Sequence, residues 1–122
     1  FGSLAPNVSD NTTDKVPPPF WVENAGNILA NVTVTATALF TAVSFPSSNY
    51  QFRIEENETG SFNTTTSTTS FTNINASSAT KHVIDLNWQD VNDDFLTGLL
   101  VLVPTDEPSG LKSSTVTYTI ER

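Results

Sequence analysis

The sequence predicts an all-β protein, an antiparallel β-sandwich of about seven strands, and two observations carry that reading. From Phe20 onward, apolar and polar residues alternate with period two, which puts one face of each segment against a core and the other in water. Turn signals rich in Gly, Pro, Asn and Asp separate these segments at intervals of about 8 to 15 residues, and no stretch carries helical periodicity. The 122 residues fit one domain of ordinary size. With no Cys, no disulfide supports it.

Residues 1–19 hold four of the seven prolines and little alternation, so they read as an extended arm ahead of a sandwich over residues 20–122. Pro17, Pro18 and Pro19 favour polyproline II geometry, which makes the arm a semi-rigid spacer standing off the body. Phe20–Glu23 is expected to form a hairpin with the next strand through the turn Asn24-Ala25-Gly26-Asn27. That next strand is the clearest in the chain. Ile28, Ala30, Val32, Val34, Ala36 and Ala38 share its apolar face, and Asn31, Thr33, Thr35 and Thr37 its polar one.

Leu39–Phe45 continues as a strand or bend until Pro46-Ser47-Ser48-Asn49, and Tyr50, Phe52 and Ile54 then mark another strand. Residues 56–60 form a turn. Residues 61–78 are a Ser/Thr/Asn tract punctuated only by Phe62, Phe71 and Ile74, where strand and irregular excursion are both open. His82, Ile84, Leu86 and Trp88 form the apolar face of the next strand, which leads into an acidic loop at 89–94. Phe95–Val103 is almost continuously apolar and reads as a central strand. A turn at 104–110 precedes a terminal strand with Val116, Tyr118 and Ile120 inward.

Two stretches resemble secreted Ig-like domains of archaeal and bacterial cell-surface proteins. One is Val101-Leu102-Val103-Pro104 followed by Pro108-Ser109-Gly110 and the Thr-rich strand ending at Ile120. The other is Val22 to Asn27 followed by Val32-Thr33-Val34. The resemblance implies an Ig-like sandwich with a role in an envelope or filament, and it brings no catalytic residues with it.

Composition narrows function further. Thr, Ser and Asn number 19, 13 and 12, the neutral polar surface of an extracellular protein. The net charge of −8 repels phosphate backbones and anionic headgroups, which excludes a nucleic-acid partner. The longest apolar run falls far short of the ~20 residues of a membrane-spanning helix, so no membrane insertion is expected. Starting at Phe1 without an initiator Met, the chain reads as a fragment or, the preferred expectation, a mature protein whose leader peptide has been removed.

Six Asn-x-Ser/Thr sequons make Asn7, Asn11, Asn31, Asn57, Asn63 and Asn75 candidate glycan acceptors, twice the about three that chance supplies. Asp90, Asn92, Asp93 and Asp94 offer oxygen ligands for Ca²⁺ on one loop, with Asp106 or Glu107 as further donors, although a solvated acidic turn has the same composition. No other cofactor is implied. Enzyme chemistry lacks residues: His82 is the one His, expected partly buried and hydrogen-bonded, and there is no nucleophile elbow or metal-binding His/Cys spacing. Phe20, Trp21, Tyr50 and Trp88 are expected in the core or an interface, the alternative being a sugar-stacking platform.

The expected function is therefore a structural subunit of a glycosylated extracellular filament or envelope assembly, its partners being further copies of itself and covalent glycans. Sandwich edges pair with strands of other chains, and the arm, with Phe1, Leu4 and Val8 as apolar anchors, is the expected donor. The alternative is a monomeric surface module for adhesion or carbohydrate binding.

Overall fold

A computed structural model describes residues 1–122 as two antiparallel β-sheets packed face to face. Eight strands form, one more than the alternation suggests: β1 (Ser9–Asn11), β2 (Phe20–Glu23), β3 (Ala30–Ala36), β4 (Tyr50–Glu56), β5 (Thr72–Asn73), β6 (Val83–Leu86), β7 (Asp94–Leu102) and β8 (Val116–Glu121). One sheet runs β1-β7-β4-β5, with β2 also on β7, and the other runs β6-β3-β8. No helix is long and apolar enough to cross a membrane.

Alternation explains the core. Val32 and Val34 of β3, Phe52 and Ile54 of β4, and Phe95, Leu99 and Val101 of β7 face inward and are buried. In β7 the same face carries Thr97, whose hydroxyl accepts a hydrogen bond from the Tyr118 hydroxyl at 2.9 Å, so a polar atom in the core is satisfied. The Thr-rich tract contributes through single anchors, with Phe62 and Ile74 buried and a two-residue β5 as its only pairing. Phe71 lies under the Arg53 guanidinium, 4.5 Å from ring centroid to Cζ. Leu39–Phe45 makes a bend, not a strand, and Phe40 is its buried residue.

Three sequence expectations are overturned. First, Phe20–Glu23 makes no hairpin with β3: it pairs with β7, Phe20 opposite Thr97 through Glu23 opposite Asp94. The cause is Asn24. Its amide nitrogen donates to the carbonyls of Ile28, Leu86 and Asn87 while its Oδ1 accepts from Gly26 N–H, a set of bonds that carries the chain from one sheet to the other.

Second, the alternation of residues 82–88 breaks. Asp85 takes a positive φ of 57°, and the pairing with β3 shifts register between Ala30 and Val32. Val83 and Leu86 thereby point inward, Ile84 is half-buried, and Trp88 is left exposed.

Third, the arm does not stand off the body. Ser9, Asp10 and Asn11 lie opposite Leu102, Val101 and Leu100 of β7, and a single 3₁₀ turn follows at Thr12–Asp14, capped by the Asn11 side chain accepting from Thr13 N–H. Prolines 17–19 occupy the crossing from β1 to β2, where missing N–H groups leave no ladder bond unmade.

Candidate functional site

Both edges of β7 are filled. β4 covers one along its length, and the amino-terminal segment covers the other twice, with β1 on residues 100–102 and β2 on residues 94–97. Between these pairings Thr12 is buried, and its hydroxyl accepts a hydrogen bond from Leu99 N–H at 3.0 Å. The contact is close: a methyl group on Gly98 would sit 2.8 Å from Glu55 Oε1 and 3.2 Å from Thr12 Oγ1. Beyond β1 the pairing continues irregularly, with Asn7 N–H donating to Val103 O and Val103 N–H to Val8 O.

The expected anchors divide. Phe1 and Leu4 are half-buried against the core, whereas Val8 is 42% exposed and contributes through its backbone. Phe1 and Leu4 line a cleft of about 760 Å³ with Leu39, Phe40, Val101 and Leu111, and Leu111 is fully open to solvent. One wall is held by Glu107, whose carboxylate accepts from the backbone N–H groups of Thr41 and Ala42 and pairs with Lys112 at 2.6 Å. Burial raises its pKa, but Lys112 and the Ala42 and Thr41 donors outweigh that and hold it at about 2, below the ordinary 4.5. Glu107 and the neighbouring Asp106 therefore do not join the acidic loop as the sequence suggested: Glu107 is committed to residues 41, 42 and 112.

At the other end of β7 the acidic loop meets β2. Carboxylate oxygens of Glu23, Asp90 and Asp93 lie within 4.8 Å of one another. Glu23 had no signal in the sequence, because the expected hairpin would have taken it elsewhere. Asp94 is turned to other partners: its Oδ2 accepts from Trp21 Nε1 and from Asn57 Nδ2. Asn92 donates to Gly60 O, and its Oδ1 has no partner.

The aromatic residues form no common platform. Tyr50 is buried, while Phe20, Trp21 and Trp88 are 47%, 60% and 38% exposed, which places these three outside the core of the chain and leaves the interface as their expected place. Trp21 lies opposite Leu96 and Phe20 opposite Thr97, so the two rings leave β2 on opposite faces. His82 is a buried packing residue. Its Nδ1 accepts from Val34 N–H at 2.8 Å, its ring meets Phe52 edge-on, and burial lowers its pKa.

The sequons differ in accessibility. Asn7 and Asn63 are exposed, and no hydrogen bond engages their side-chain amide nitrogens. Asn11 and Asn31 are half-buried, and each uses its side-chain oxygen, toward Thr13 N–H and Asp85 N–H respectively. Asn57 and Asn75 donate from the nitrogen a glycan would occupy, to Asp94 at 2.7 Å and to the Asn73 carbonyl at 3.3 Å. Comparison of the chain with protein-family models, with curated proteins and with solved structures returns no match.

Proposed function

We propose that this chain is a structural subunit of an extracellular, glycosylated surface filament, polymerising when the amino-terminal segment of one copy occupies the β7 edge of the next. One observation carries the reading: the strand slot beside β7 is filled by residues from the start of the chain, while the carboxy-terminal β8 pairs with β3 in the other sheet. Set against an Ig-like sandwich, with β3–β6 taken as the B–E pair and β4–β7 as the C–F pair, the last strand would be expected beside β7 and the first beside β3. Here the two terminal strands are exchanged. The β7 slot is therefore filled by the amino-terminal segment of this sequence, which a second copy can supply in the same register. Because donor and acceptor are different surfaces, the contact is heterologous and repeats into an open fibre.

The neutral polar surface and the exposed sequon residues Asn7 and Asn63 support an outer-surface location with glycan cover. Electron microscopy of native, undenatured material tests the reading: fibres with a regular subunit repeat support it, and dispersed particles overturn it. A second reading, a monomeric carbohydrate-binding module, has the exposed Trp21 and Trp88 in its favour. Quenching of their fluorescence across a polysaccharide panel distinguishes the two.

A further inference from the structure

Glu23, Asp90 and Asp93 bring three carboxylates of like charge into one small volume with no Lys, Arg or His in ion-pair contact with any of them. Glu23 and Asp90 are exposed, as acidic surface residues usually are. Asp93 is different. It is only 7% exposed, its backbone is fixed on both sides by N–H donation to Glu58 and by its carbonyl accepting from Asn24 N–H, yet its carboxylate takes part in no hydrogen bond or ion pair. A carboxylate on so buried a residue, with no hydrogen-bond partner of its own and two further carboxylates close by, is a ready ligand for a cation that reaches it from the solvent side. Next to it Asp94 is 2% exposed, and its Oδ1 is likewise unpartnered.

We propose that Glu23, Asp90 and Asp93 form a Ca²⁺ site that fastens the end of β2 to the loop entering β7. The chemistry of the donors selects a hard cation, since all are oxygen and there is no nitrogen or sulfur ligand. The spacing fits: two oxygens bound to one Ca²⁺ at 2.3 to 2.6 Å are at most about 5 Å apart, and these lie within 4.8 Å. Exposed Glu23 and Asp90 leave the outer side open for the waters that complete six to eight ligands. Glu23 belongs to the segment that covers β7, and Asp90 and Asp93 belong to the body, so the ion acts as a clasp at the base of the amino-terminal segment and keeps β2 in place whatever β1 does. The site stands on the dispersed chain and fails or holds independently of the filament reading.

The test uses the full chain, stripped with a chelator and held at fixed ionic strength with NaCl. Trp21 is two residues from Glu23, and Trp88 is two from Asp90, so a bound Tb³⁺ ion is excited through tryptophan. The expected result is Trp-sensitised emission displaced by Ca²⁺ with half-displacement at or below about 1 mM, the range of extracellular modules. Because Glu23 and Asp90 are exposed, Glu23→Gln and Asp90→Asn leave folding intact; each is expected to weaken binding about tenfold or more, whereas Asp106→Asn leaves it unchanged. Emission that Ca²⁺ fails to displace, or displacement that is equal in the wild type and both variants, overturns the site.

Discussion

A single engineered disulfide interrogates both the pairing of the amino-terminal segment and its proposed exchange. Ser9 and Leu102 lie directly opposite each other in the β1–β7 ladder, on the outer side of the sheet, where Ser9 is exposed and Leu102 half-buried. Such pairs have the Cα separation a disulfide requires, and the chain has no Cys of its own to compete. In Ser9→Cys/Leu102→Cys the bridge closes a loop over most of the chain. Loop-closure entropy for a ~100-residue loop corresponds to about 4.7 kcal/mol, an upper value that native strain reduces.

Denaturant unfolding of the oxidised and reduced forms of the same variant measures the difference, because the substitutions cancel. The assembly assay turns on the order of steps. Oxidation of dispersed chains locks each segment onto its own body, and these chains are expected to form no fibres until reduced. Oxidation after assembly is expected to join neighbouring subunits, giving a ladder on a non-reducing denaturing gel. If the locked monomer assembles as readily as the reduced one, or if oxidised fibres yield only internally bridged monomers, exchange of the amino-terminal segment is refuted.

The remaining predictions concern the body. Phe52 is 1% exposed and packs edge-on against His82, so Phe52→Ala is expected to cost about 3 to 5 kcal/mol in urea unfolding, a large share of the stability of a domain this size. Acidification is expected to act in two windows. Burial lowers the His82 pKa, so its contribution is present above the ordinary 6.5 and is lost as pH falls below that value. Glu107, held at about 2, contributes above 4.5 and loses its contribution as pH falls from 4.5 toward 2; a melting-temperature profile of Glu107→Gln is expected to lack the lower window. Glycopeptide mass spectrometry is expected to find Asn7 and Asn63 occupied and Asn57 bare, since the Asn57 amide nitrogen is held by buried Asp94.

What the sequence revealed and what it concealed follow from one distinction. Alternation reports which side of a strand is apolar, so the inward residues of β3 and β4 were legible one by one, whereas the almost continuously apolar β7 showed only a central strand and not which of its residues face inward. It carries no information on which strand lies alongside, and proximity in sequence made Phe20–Glu23 look like the partner of β3. The decisive residue was Asn24, an ordinary turn residue by type, two of whose four side-chain hydrogen bonds exist only once residues 86 and 87 arrive. The same error hid Glu23 from the acidic cluster, although Asp90 and Asp93 were identifiable as a loop with cation chemistry. In the arm, proline density argued correctly against a long strand. Three residues of pairing and one buried hydroxyl, that of Thr12, are too short a signal for periodicity to register.

A segment that closes on its own chain competes with the segment of a neighbour at an effective concentration in the mM range or above. Closed monomer and proposed polymer keep the same ladder bonds and the same Phe1 and Leu4 contacts, so neither state gains from those. The balance must come from surfaces that only the polymer covers. Two are present at β8: its outer edge is unpaired along Val116–Glu121, and Ile120 is 56% exposed. An edge strand of alternating Thr, with few charges to repel a partner, is poorly defended against pairing. In the proposed polymer, lateral burial of β8 against the next subunit would add free energy that the closed monomer lacks. Once an inserted segment is backed by that contact, its release requires breaking the β1 pairing and the β8 contact together. The proposed fibre is then expected to persist after dilution below the concentration at which it formed, because dissociation would be governed by the barrier to opening and not by mass action alone.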